Sequence, residues 1–298
     1  SDWSSDVCSS DLRPYIKSAN DLQAGCPTAS GFFNIGINTT VQYAFALFGQ
    51  PRLSGNFAGD KTGHLFTGIM QKLTEKLQQD IHYQESMNSC MNCGVCTAIC
   101  PSAEFYSYDP RIIVDTVQRQ DEESLQTLLR SESIWYCGEC MSCKTRCPRS
   151  NTPGGVIMAL RRLSQEEGLF VESEKGRQQF ALKRVLGNNI LNYGYCVTPD
   201  IVRPEMHPEQ GPVWEWIYEH RDDLYERVHS NYRKEGAGTL RKVDDESMEE
   251  LRKIFEVTGG KEFMEQIENR SLEKAKEMGM DGESYFLHTY MANNGQHQ

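Results

Sequence analysis

The sequence predicts a mainly α-helical protein with a small cysteine-bearing core, an N-terminal segment before it and a helical extension after it. Two observations carry that expectation. Eight cysteines fall in two runs, Cys90-Met91-Asn92-Cys93-Gly94-Val95-Cys96-Thr97-Ala98-Ile99-Cys100-Pro101 and Cys137-Gly138-Glu139-Cys140-Met141-Ser142-Cys143-Lys144-Thr145-Arg146-Cys147-Pro148. Around them, apolar residues recur at helical intervals behind capping residues, as after Asp109-Pro110 and Thr152-Pro153.

Both runs read C-x2-C-x2-C-x3-C-P, and each cysteine of the second lies 47 positions after its counterpart (137 − 90, 147 − 100). This is the bacterial ferredoxin spacing for two 4Fe-4S clusters, so the core is expected to be ferredoxin-like. Three cysteines two residues apart let a tight loop wrap one cube. The chain then turns away, and the fourth cysteine ligates the other cube. One cluster is thus assigned to Cys90, Cys93, Cys96 and Cys147, and the other to Cys137, Cys140, Cys143 and Cys100. Each proline ends its loop by fixing φ and removing a donor. Gly94 and Gly138 are expected to relieve crowding beside the clusters. Zinc sites pair C-x2-C units across a longer gap, which fits this spacing poorly. A disulfide framework suits small secreted domains, and this chain is neither small nor visibly secreted.

Composition narrows the partners. The chain has 298 residues and a net charge of −11, which argues against nucleic acid as the main partner. The apolar runs fall short of the ~18 residues a bilayer span needs, and no secretory segment is visible. A soluble, cytoplasmic protein is expected, in keeping with eight of eleven cysteines placed in the two runs. Acid concentrates after Val171, with 24 Asp and Glu against 17 Lys and Arg. By contrast Lys144, Arg146, Arg149, Arg161 and Arg162 crowd the second run against Glu139 alone. Positive charge favours a reduced cluster, so the cluster of Cys137, Cys140 and Cys143 is expected to have the higher potential.

Four segments follow. Residues 1–12, rich in Ser and Asp, resemble translated adapter sequence and are read as a non-native leader that includes Cys8. Residues 13–80 form an N-terminal segment of unclear fold. It holds a strand or loop at 31–38, a short apolar element at 40–48, a helical stripe at 65–77, and Cys26 as a small buried apolar residue. Residues 81–170 are the dicluster domain. Asp109 caps one helix in it, a second starts near Asp121, and Trp135 and Tyr136 shield the second cluster. Thr152 caps a third that ends at Gly168, with Phe170 closing the core. Residues 171–298 are a helical extension suited to docking a partner. Helices are expected at 178–185, 213–228, 245–257 and 261–278, with a flexible linker at 233–241 and a mobile tail from Met280. Cys196 is read as structural.

The histidines form no ligand spacing, and there is no dinucleotide fingerprint, Walker A loop or nucleophile elbow. No catalytic residue is expected.

Trp135-Tyr136-Cys137-x2-Cys140-x2-Cys143-x3-Cys147-Pro148-Arg149, followed by Pro153 and Val156-Ile157-Met158-Ala159-Leu160-Arg161, resembles the C-type subunit of heterodisulfide reductases, over about residues 85–170. The resemblance implies a small helical electron-transfer subunit with two 4Fe-4S clusters and the eight run cysteines as ligands. It also implies a flavin-containing A-type subunit and a cysteine-rich B-type subunit as partners. The cofactor carries the electron, and the protein sets distance, shielding and potential. Residues 13–80 and 171–298 fall outside it. Iron–sulfur subunits of the succinate dehydrogenase and fumarate reductase type would carry a further C-x4-C-x2-C motif upstream, and residues 13–89 contain only Cys26. The glycolate oxidase and glycerol-3-phosphate dehydrogenase types add Cys-Cys-Gly domains, absent here. A different class, a non-redox interaction protein with structural clusters, is the remaining alternative.

Overall fold

The computed structural model describes residues 72–292, and among these every regular element is helical. The readings of 1–12, Cys26, 31–38, 40–48 and the first half of the stripe at 65–77 lie outside the described residues. Helices α1 (Leu73–Gln79) and α2 (Ile81–Ser86) precede the first cysteine run. The run holds a single turn, α3 (Val95–Ala98), and a second, α4 (Ser102–Phe105), follows Pro101. Between the runs lie α5 (Pro110–Gln118) and α6 (Glu122–Arg130), and α7 (Pro153–Glu166) follows the second.

Local chemistry explains most of these ends. The Asp109 carboxylate accepts from the N–H groups of Arg111 (2.9 Å) and Ile112 (3.4 Å), and Pro110 occupies the first turn of α5. Asp121 accepts from Ser124 N–H at 2.8 Å and starts α6. Thr152 begins α7 without a side-chain cap; its N–H is instead spent on Ser86 O at 2.8 Å, which ties α7 to the end of α2. Two helix starts are capped from far along the chain. Glu122 accepts from Leu73 N–H (2.7 Å) and Thr74 N–H (3.2 Å) at the head of α1. Glu132 does the same for Glu174 and Lys175, the latter at 3.1 Å.

Helix α7 is the axis of the core. Val156, Ile157, Leu160 and Leu163 are buried as the stripe predicts, against Leu77, Ile113, Val117, Leu125 and Leu129. Arg161, Ser164 and Gln165 on its other sides are buried too. Close approach to α2 requires Gly155, where a Cβ would stand 2.0 Å from Ser86 Oγ. Gly168, with φ +70°, turns the chain out of α7.

The extension packs back on this core. Helix α8 (Glu174–Leu182) starts earlier than expected, capped by Ser173, and continues through a π-turn at Lys183–Gly187 into α9 (Asn188–Tyr193). The expected single helix at 213–228 is two, α10 (Gly211–Glu219) and α11 (Arg221–Arg227). They break at His220, whose ring nitrogen Nδ1 lies 2.8 Å from Trp216 O while the ring stacks on Trp216. Val228 is exposed. Helices α12 (Asp245–Val257) and α13 (Gly260–Glu277) match their expected places. Ile267 of α13 packs with Phe170 and Val171, joining extension to core.

Two expectations are corrected. The glycine-bearing stretch 233–241 is held by backbone hydrogen bonds, Arg233 N–H to Leu240 O (3.1 Å) and Lys242 N–H to Lys234 O (2.9 Å). It is a closed loop and not a flexible linker. The chain after Met280 forms α14 (Gly282–Met291), capped by Asp281, with Tyr285 and Phe286 buried against Phe180, Met206 and Ala275. Burying each aromatic stabilises the fold by about 1.5–3 kcal/mol, which a mobile tail would forgo. Among the described residues no helix is long and apolar enough to cross a membrane.

An ion-pair cluster helps lock α13 to the π-turn. Glu268 meets Lys183 Nζ at 2.9 Å and Arg184 Nη2 at 2.8 Å. Burial alone would raise this carboxyl, but Arg184 and Lys183 outweigh it and hold it below its ordinary 4.5. Its contribution is therefore complete above that ordinary value and lost as pH falls through the lower folded value. The melting-temperature gap between the wild type and Glu268→Gln should shrink as pH is lowered from 6 towards 4 (roughly the carboxylate range). A gap that does not change with pH would contradict this.

Candidate iron–sulfur site

The two cysteine loops are conformational copies. In the first, Asn92 (φ 58°) and Gly94 (φ 79°) are left-handed; in the second, Glu139 (φ 52°) and Met141 (φ 57°) are, each 47 positions on (139 − 92, 141 − 94). The amide of Asn92 donates to Cys90 Sγ at 3.3 Å, and that of Glu139 to Cys137 Sγ at 3.4 Å. One thiol of each loop, Cys93 and Cys140, is exposed, and the rest are half-buried. Gly94 therefore serves a left-handed position. Gly138 does not: a Cβ there would meet only Ser102 Oγ, at an ordinary 3.9 Å. Non-glycine residues in this region carry strain, and a loop keeps them when its shape is dictated by what it wraps.

Cys90, Cys93, Cys96 and Cys147 line one cavity, together with Arg111 and Asn151. The fourth cysteine of the second run thus sits with the first three of the first run. On the other side, Cys143 lies in the electrostatic field of Cys140 and Cys100, and Tyr108 in that of Cys137 and Cys100. Cys96 and Cys143 also sense each other, so the two groups adjoin. Four of the eight predicted ligands, Cys90, Cys93, Cys96 and Cys147, thus share one cavity. Among the described residues no three or more His, Cys, Asp or Glu side chains gather as ligands of a single ion. Thiols spaced around a cavity suit a polynuclear cube better than one ion, and an all-cysteine donor set is what iron–sulfur clusters take. Burial pushes the thiols of Cys96, Cys137 and Cys143 up, so bound metal would be needed to keep them as thiolates.

The second loop has a support the sequence did not reveal. Arg161, reaching from α7, donates from Nε to Ile134 O, from Nη1 to Glu139 Oε1 and from Nη2 to Cys137 O, each at 2.6 Å. Burial pushes Glu139 up to about 7, although Arg161 pulls the other way. Arg162 pairs with Glu166 (2.9 Å) and Asp80 (3.8 Å). Two of the five cations near the second run are thus offset by carboxylates. Tyr136 stacks on Tyr106 at 4.5 Å, and Tyr108 meets it edge-on at 6.3 Å, which walls this side of the second group with aromatic rings.

A helical fold carrying two such cysteine loops defines the class as iron–sulfur proteins, and a 4Fe-4S dicluster domain matches residues 86–151. Three curated relatives narrow it, each the C-type subunit of a heterodisulfide reductase. The chain is 35% identical over 144 residues to that of the ferredoxin:CoB-CoM heterodisulfide reductase of Methanosarcina acetivorans, covering 48% of this chain and 54% of that one. It is 33% identical over 123 residues to that of the ferredoxin/F(420)H(2)-dependent CoB-CoM heterodisulfide reductase of the same organism, covering 41% and 68%. To the iron–sulfur C-type subunit of the CoB--CoM heterodisulfide reductase of Methanopyrus kandleri it is 28% identical over 117 residues, covering 39% and 59%. The chain belongs to this family of heterodisulfide reductase C-type subunits. It spans about half the length of the first of these relatives, 54%.

Proposed function

We propose that the chain relays electrons between a flavin-containing A-type subunit and a cysteine-rich B-type subunit through two 4Fe-4S clusters. Cys90, Cys93, Cys96 and Cys147 hold one cluster, and Cys137, Cys140, Cys143 and Cys100 the other. The observation that carries this reading is the place of Cys147 in the cavity of the first run. Two adjoining clusters, each with one ligand thiol exposed, give an entry, an exit and a short path between them. The protein's own part is to shield each cube, fix the spacing and set the potentials. The dicluster part, 81–170, does this work. The extension, 171–298, keeps Val213 and Trp216 exposed and is read as surface for a partner.

The test is iron and acid-labile sulfide content of anaerobically purified protein, with EPR after dithionite reduction. About eight iron and eight sulfide per chain, with a spin-coupled signal from two neighbouring reduced clusters, is the expected result. Zinc without sulfide would overturn it. Clusters that stay oxidised under every physiological reductant would favour the structural alternative.

A further inference from the structure

Five buried side-chain polar atoms among the described residues lack a hydrogen-bond partner: Tyr108 Oη, Trp135 Nε1, Asn151 Nδ2, Ser271 Oγ and Tyr285 Oη. A donor buried without an acceptor forfeits its hydration for nothing, so each needs an explanation. Two of the five stand beside the thiols, one at each group. Tyr108 is 5% exposed, packs in the core with Cys100, Cys137 and Tyr136, and turns its hydroxyl toward the thiol of Cys137 without full hydrogen-bond geometry. Asn151 is 2% exposed and lines the cavity of Cys90, Cys93, Cys96 and Cys147. Its backbone N–H already donates to Cys147 Sγ at 3.3 Å. Its amide orientation is fixed, because Oδ1 accepts from Asn88 N–H at 2.6 Å, which leaves Nδ2 as the free donor.

We propose that Tyr108 and Asn151 each donate a hydrogen bond to sulfur of the adjoining cluster, and that each raises the potential of its own cluster. Tyr108 serves the cluster of Cys137, and Asn151 that of Cys147. This rests on the ligand assignment above. The chemistry is simple. Reduction adds one negative charge to a cube, spread over its sulfurs, and a donor aimed at sulfur binds that form more tightly. A cube in place turns two unpaired donors into satisfied ones. Because Arg161 and Arg162 are offset by carboxylates, such bonds count for more at the second cluster than a tally of nearby cations suggests.

The experiment is an anaerobic redox titration followed by EPR, on wild type, Tyr108→Phe and Asn151→Ala. The signal lost in Cys140→Ala identifies the second cluster. Tyr108→Phe should keep the iron content and lower the ratio of reduced to oxidised second cluster about fivefold at fixed poise. That is about 40 mV at 59 mV per tenfold for one electron. Asn151→Ala loses the donor without adding a charge, and should keep the iron content and lower the first cluster alone. Two clusters in every protein, with both potentials unmoved, would overturn this inference and leave the relay standing. So would a Tyr108→Phe variant that merely melts higher. A wild type without two clusters would overturn the ligand assignment and this inference together. Should Tyr108→Phe fail to hold its clusters, ENDOR of the wild type in H2O and D2O decides. An exchangeable proton strongly coupled to the second cluster, beyond those of backbone amides, supports the bond, and its absence overturns it.

Discussion

Replacing Cys147 with alanine should remove the cluster of the first run and spare that of its own. Iron should fall from about eight to about four per chain, since each cube holds four. The residual EPR signal should match that of Cys90→Ala and differ from that of Cys140→Ala. Cys147 lines the cavity of Cys90, Cys93 and Cys96, and the amide of Asn151 points at its sulfur there, not at the second group. Cys100→Ala should show the reverse: it stands with Cys137 beside Tyr108, and its loss should leave the signal that Cys140→Ala leaves. Alanine is the better replacement, because a serine oxygen could still bind iron. Cys196→Ser should leave both clusters and their spectra intact, being half-buried and apart from either set. If Cys147→Ala and Cys140→Ala leave the same signal, each run closes its own cube and the crossed assignment fails.

What the sequence made legible was written locally. The place of Cys147 beside the first run follows from spacing, and the starts of α5 and α6 follow from Asp109 and Asp121 with helical stripes behind them. What it hid was tertiary. Glu122 caps α1 across 49 residues, and nothing near Leu73 announces it. Arg161 sits on a stripe-bearing helix and counts only as one of five cations near the second run until three acceptors are placed around it. The stretch 233–241 has the glycines of a linker, yet its backbone groups pair with one another. The residues after Met280 look like a terminal tail because Tyr285 and Phe286 find their partners in α8, about 100 residues earlier, a distance that local periodicity does not read. In the loops, Gly138 drew notice as a glycine, while the left-handed place fell to Met141, which no propensity would select.

Arg161→Met should destabilise the protein by about 3–5 kcal/mol, because three buried acceptors lose their donor at about 1–3 kcal/mol each. In a domain of this size that is a fall of roughly 6–20 °C in melting temperature. Removing the guanidinium strands Glu139, whose side chain is only 8% exposed, and deprives the carbonyls of Ile134 and Cys137 of their donor. Those two carbonyls bracket the entry to the second run, so the loop loses its anchor to α7. The second cluster should then bleach faster in air or chelator than the first. Methionine fills much of the volume of the Arg161 stem, while the guanidinium's place over the Trp135 ring, 5.5 Å from its centroid, is lost with the charge. Adding Glu139→Gln should recover part of the loss at alkaline pH, where Glu139 would otherwise have to ionise without a partner, and little near neutrality, and the double-mutant cycle at the two pH values measures how much of the penalty is electrostatic. A single variant that melts with the wild type would show that the pair is bystander to the loop. A double variant no better than the single at alkaline pH would place the cost in the lost carbonyl bonds, and the loop would then be held by backbone anchoring alone.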